Sequence, residues 1–194
     1  MKKGLILGLL CVGFVSVINA QTKGVMTVTV TTSSVPTSSV PSAPGSGFRG
    51  GNGGNRTWTP ENCMAIWIED NTGKFVKTIT VNATRYQIYL TSWKNSTSAA
   101  GSTFNKVDAV TGATNLNHGT RTSMWDGKDF KGNLVPDGTY KICMEITETN
   151  STGTYASFTI TKGKVAEVQK PANKPGFSAV LLKWEPGTST ITKK

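Results

Sequence analysis

The chain has 194 residues, with 21 Lys and Arg against 11 Asp and Glu, one His and three Cys. Its apolar fraction is only 37%, while Gly numbers 21 and Thr 29, a usage that favours strands over helices. Beyond the first twenty residues no stretch is apolar enough to span a bilayer, which excludes a polytopic membrane protein, and the composition argues equally against a long helical bundle or a large multidomain enzyme.

Lys2 and Lys3 precede an apolar run from Leu5 to Ile18 and then Asn19, Ala20 and Gln21. A basic head, a short apolar stretch and a small residue at the junction predict a signal peptide over 1–20, cut after Ala20. The run is short for a membrane anchor, so the mature chain does not span the membrane. Cys11 follows Leu9 and Leu10 rather than small residues, which argues against a lipid attachment site. Cleavage leaves 19 basic and 11 acidic residues, near +8. These charges are scattered except for Lys193–Lys194, so the chain carries no nucleic-acid footprint; the surplus reads as a basic soluble surface, or as attraction to an anionic membrane surface or an acidic partner.

Two cysteines remain, Cys63 and Cys143, in an oxidising compartment. A bridge would close a loop of about 80 residues and stabilise by roughly 4 kcal/mol in the chain-entropy model. Strand alternation places Cys143 with Lys141 and Glu145, away from the main core, and Cys63 opposite Met64, Ile66 and Ile68. That argues against a bridge through the core and leaves one between neighbouring strands of a sheet open.

Val25–Thr31 alternates, with Met26, Val28 and Val30 on one face, and predicts a strand. Residues 33–56 are mostly Ser, Pro, Gly and Thr and read as a disordered insertion within one domain, 21–194. Met64–Glu69, the turn Asp70-Asn71-Thr72-Gly73 and Lys74–Val81 form a hairpin signature. Tyr86–Trp93 fits a short helix or a strand equally. Gly119–Trp125, Thr139–Thr147, Tyr155–Thr161 and Ser178–Trp184 complete roughly eight short strands, with no long helical period. The spacing predicts an all-β, antiparallel sandwich.

Trp125-Asp126-Gly127-Lys128-Asp129-Phe130-Lys131-Gly132-Asn133-Leu134-Val135-Pro136-Asp137-Gly138-Thr139-Tyr140 holds three turn dipeptides before a strand restarts at Tyr140. It resembles the immunoglobulin-like segment of flagellar hook-capping proteins and of several secreted bacterial proteins. The acids at 126, 129 and 137 lack EF-hand spacing, which disfavours a calcium loop. Together with Pro60–Asn62, Ala65–Asp70, Gly73–Thr78 and Phe158–Gly163, the string is similar to a family of predicted periplasmic proteins, domain of unknown function 2271, from about residue 24 to 186. The resemblance implies a periplasmic or secreted bacterial protein with an immunoglobulin-like β-sandwich, and no established activity.

Asp108-Ala109-Val110-Thr111-Gly112-Ala113-Thr114 resembles the Asp-x-x-Ser/Thr-Gly-Ala-Thr acceptor sequence of covalently flavinylated bacterial proteins. There a flavin transferase esterifies FMN to the last Thr. By position the cofactor-binding residues are Asp108, Thr111, Gly112, Ala113 and Thr114, with FMN on Thr114 and a membrane redox protein as electron partner. Gly112 and Ala113 leave room for close backbone approach. The same string also reads as a structural turn, with Asp108 or Thr111 bonding the local backbone.

His118 is the only histidine and reads as an exposed loop residue, with a place near a flavin or a metal as the alternative. No Ser-His-Asp set and no zinc set can be assembled, so the protein is not expected to be an enzyme in its own right. Trp58, Trp67, Trp93, Trp125 and Trp184 read as core or edge packing. The competing functions are a flavin-bearing electron-transfer subunit and a cofactor-free binding or structural module of the cell envelope.

Overall fold

The computed structural model describes residues 20–34, 62–83, 86–112, 117–148 and 152–187. Residues 1–19 of the expected signal peptide, 35–56 of the insertion, Trp58, Ala113 and Thr114 lie outside the described residues.

In chain order the elements are β1 (Gly24–Thr32), β2 (Cys63–Asp70), β3 (Phe75–Asn82), a 3-10 turn at Gln87–Tyr89, α1 (Thr91–Ala99), β4 (Val110–Gly112), β5 (Thr120–Trp125), β6 (Gly138–Thr147), β7 (Thr154–Lys162), β8 (Glu167–Gln169) and β9 (Phe177–Pro186). The fold is all-β, as expected, with sheets ordered β5-β1-β9-β8 and β4-β3-β2-β6-β7. Every pairing is antiparallel except β3 with β4.

Alternation builds the main core. Met26, Val28 and Val30 of β1 are fully buried, against Met64, Ile66 and Ile68 of β2 and Ile142 and Met144 of β6 in one cluster. Trp125 packs against Tyr140 and Trp184, with ring centroids 5.0 and 6.5 Å away. On the outer face Thr31 meets Thr120 at 2.9 Å and Thr29 meets Thr122 at 3.3 Å, cross-strand pairs that tie β1 to β5. The hairpin turn forms as read: Asp70 Oδ1 accepts from the Thr72 and Lys74 backbone N–H groups, and Gly73 takes φ +91°.

The centre of the five-stranded sheet, β2 and β3 with the later part of β6, is buried on both faces. Its second face carries Cys63, Ala65, Trp67, Phe75, Val81 and Cys143, packed against Leu90 and Trp93 at the start of α1. A parallel β3–β4 pair needs a crossover, and α1 lies within that crossover. So Tyr86–Trp93, ambiguous in sequence, opens a helical layer that the strand reading lacks. Glu145 explains how so polar a helix is held. It is fully buried on β6, and its carboxylate accepts from the Ser92 and Trp93 N–H groups at 3.2 and 3.0 Å, capping α1 from across the sheet. Burial pushes the Glu145 carboxyl up from its ordinary range, against the pull of those bonds.

A second buried charge sits on β7. Lys162 is fully buried, donates to Asp137 Oδ1 at 2.7 Å and lies 5.5 Å over the Trp184 ring. The Thr22 N–H and hydroxyl donate to the same carboxylate at 2.7 and 2.6 Å, and Asp137 N–H donates to the Ala20 carbonyl.

Candidate functional site

The motif strand β4 begins with a tight, pinned turn. Asn105 is buried and its side-chain oxygen accepts from Val107 N–H, while Ala109 N–H donates to the Lys106 carbonyl. Asp108 then takes φ +56°, a left-handed conformation that Asp tolerates better than most residues. The buried Lys77 ammonium lies 3.8 Å from Asp108 and 3.6 Å from Asp126, so one cation from β3 ties the motif to the turn after β5.

From there Val110–Gly112 runs parallel to Thr80–Asn82 as the edge of the five-stranded sheet. Val110 is 58% exposed and Thr111 is exposed with it. A Cβ on Gly112 would stand 2.7 Å from Asn82 Nδ2, so the motif glycine answers a close approach. The structure therefore brings Asp108, Thr111 and Gly112 onto one exposed edge.

The chain re-enters the described region at Asn117. His118 is not the exposed residue expected from its sequence setting. Its side chain is 25% exposed, and Nε2 meets Glu148 Oε1 at 2.5 Å. Glu148 also takes the Ser34 hydroxyl on both oxygens. The other ring nitrogen, Nδ1, is buried without a partner. Arg121, which the sequence reading passed over, lies on β5 opposite Val30 and so faces inward. Its Nη2 donates to the Asn117 carbonyl at 2.8 Å, while Nε is buried with no partner. Burial pulls the guanidinium below its ordinary pKa, and among the described residues it has no ion pair. Nothing local in Gly119–Thr120–Arg121–Thr122 marks this residue; its inward position follows only from the β1 register.

The remaining candidates are kept apart. Cys63 and Cys143 are buried, stand opposite Thr147 and Trp67 rather than opposite each other, and form no disulfide with one another. Burial pushes Cys143 up to about 12, and Tyr155 donates its hydroxyl to the sulfur at 3.3 Å, the setting of an unreactive thiol. Each acid of the 126–137 string has a different partner: Asp126 takes Lys77 and Lys128, Asp129 caps its own turn, and Asp137 holds Lys162. Trp67, Trp93, Trp125 and Trp184 are all core residues. A cleft of about 450 Å³ lies by the β2–β3 turn, lined by Lys74, Phe75, Phe130, Lys131 and Tyr140 among others, and holds none of the motif residues.

No helix among the described residues is long and apolar enough to cross a membrane. No curated protein and no solved structure matches the chain. A family model does match, over residues 58–175, a narrower stretch than the 24–186 expected. It takes in the whole five-stranded sheet and β5, and leaves out β1 and β9, which pair with each other. The chain thus belongs to the family described as predicted periplasmic protein, DUF2271.

Proposed function

We propose that this protein is a periplasmic accessory protein of immunoglobulin-like β-sandwich architecture that carries FMN esterified to Thr114 and passes electrons to a membrane redox partner. The observation that carries the reading is the presentation of the acceptor motif. Asp108, Thr111 and Gly112 occupy a pinned but exposed sheet edge, and Thr114 follows two residues after the last of them. A transferase needs such an edge, because a hydroxyl paired inside a sheet could not enter a second active site. Arg121 on β5 also fits such a group: among the described residues its guanidinium has no ion pair, and its Nε has no hydrogen-bond partner, as suits a phosphate neighbour. In loading, the Thr114 oxygen forms a bond to the FMN phosphorus of FAD, the bond from that phosphorus to AMP breaks, and the hydroxyl proton leaves to a base on the transferase. The bound flavin supplies the redox chemistry, and the chain supplies its placement.

The test is the intact mass of the mature protein co-expressed with a flavin transferase. The expected result is a gain of one FMN less one water, mapped to the peptide holding Thr114 and absent in Thr114→Ala. An unmodified mass, under conditions where a known acceptor is loaded, overturns the reading. One observation favours the second reading, a cofactor-free binding or structural module. The Asn82 contact gives Gly112 a packing reason, and Lys77 gives Asp108 one, with no flavin needed.

A further inference from the structure

We infer that Arg121, with His118 three residues before it in the chain, forms an anion site for a phosphate ester at the corner between the edge strands β4 and β5. Arg121 is the one arginine among the described residues. It shares the inward face of Val30, and the next inward residue of β5, Ser123, bonds the Thr80 hydroxyl of β3 at 2.7 Å. Thr80 opens the stretch of β3 that pairs with Val110–Gly112. The guanidinium therefore stands where the motif strand leaves its sheet.

Among the described residues Arg121 has no ion pair. Glu148, the carboxylate bound to the neighbouring His118, is occupied by that imidazole and by Ser34. Arg121 spends Nη2 on one carbonyl whose bond is exposed, and its buried Nε has nothing to donate to. A partly desolvated cation without a counter-charge is costly, and the guanidinium fork matches phosphate oxygens two at a time. His118 Nδ1, three residues before Arg121 in the chain, is a second buried polar atom without a partner. The choice of phosphate over another anion rests on reading residues 108–114 as a flavin acceptor.

The test uses the full mature chain carrying Thr114→Ala, which cannot be loaded at that position. It is titrated with FMN, riboflavin, AMP and inorganic phosphate by calorimetry and flavin fluorescence. FMN is expected to bind about tenfold more tightly than riboflavin, the scale of one charge-assisted contact. AMP and inorganic phosphate should compete with FMN. Arg121→Gln should erase the preference for FMN, and Arg121→Lys, which keeps the charge without the fork, should restore part of it. The ³¹P resonance of bound FMN should shift between the Arg and Lys forms, a readout that stands if the Gln variant fails to fold. AMP binding as tightly as FMN supports the site and makes its source any phosphate ester; AMP much weaker than FMN makes it the flavin nucleotide. Equal binding of FMN and riboflavin, no binding of FMN, or a preference that survives in Arg121→Gln overturns the site. Loading of Thr114 is measured by mass on a different protein, so either idea can fail alone.

Discussion

Two buried lysines hold two regions of this molecule in different ways. Lys162 is fully enclosed, bonded to one carboxylate at 2.7 Å and roofed by Trp184. Lys77 is shared between two carboxylates at 3.6 and 3.8 Å, one of which, Asp108, is 60% exposed. The first arrangement is a clamp: all of its polarity is internal, and Asp137 also receives the segment that leads into β1 through Thr22. The second is a tether, loose enough to anchor an edge strand while leaving its outer side to solvent. A buried charge in this fold thus marks either a closed structural joint or the root of a presented segment, and the exposure of its partner tells which.

The sharpest way to break the contrast is Asp137→Asn. It leaves Lys162 charged and enclosed without a counter-ion, and should cost about 3 kcal/mol in denaturant unfolding. Loss of less than about 1 kcal/mol would show that the joint is not a clamp. The same carboxyl sets an acid limit. Its hydrogen bonds from Lys162 and Thr22 outweigh desolvation and hold it at about 2, below its ordinary value. Its contribution is therefore complete above the ordinary carboxylate range and is lost as pH falls through about 2. The Asp137→Asn variant should lack that part of the acid-unfolding curve.

Glu145 works in the opposite sense. Its folded-state pKa is raised, so its contribution is present at low pH and is lost as pH rises through the folded value. The Ser92 and Trp93 N–H groups bond different oxygens of the carboxylate, so Glu145→Gln keeps an acceptor for one of them. Its melting temperature should gain on the parent between pH 4 and pH 7, with a stability change of about 1 kcal/mol or less. A gain that shrinks with rising pH would contradict a carboxylate disfavoured by burial. Smallest in stability is Lys77→Met, expected to stay within about 1 kcal/mol because one of its two partners is largely solvated. It should still speed amide exchange over Ala109–Gly112 relative to β6. Unchanged exchange there would mean that the tether does not hold the motif.

What sequence made legible follows the same division. β1 and the Asp70 hairpin could be read because alternation and turn chemistry are local. The helix could not. Thr91-Ser92-Trp93-Lys94-Asn95-Ser96-Thr97-Ser98-Ala99 is a poor helix former, and its N-terminus is capped by Glu145 from another strand. A usable signal was present in Cys63–Ile68, apolar on both faces, which is how a strand covered on two sides reads. Of the candidate site, Asp108, Thr111 and Gly112 were named from the motif, whereas β4 itself is a three-residue strand, two of its residues exposed, with no periodicity. Arg121 gains meaning only from the β1 register.

That register has a consequence in time. β1 sits inside its sheet between β5 and β9, with Met26 facing both Trp125 and Trp184. The first of the described strands therefore waits for β5 at Thr120–Trp125 to cover one flank and for β9 at Phe177–Pro186 to cover the other. Contacts of such sequence separation slow folding and keep an unpaired, apolar strand exposed meanwhile. A polypeptide wired this way stays threadable until its last strand arrives, which is the state that passage across a membrane in extended form requires.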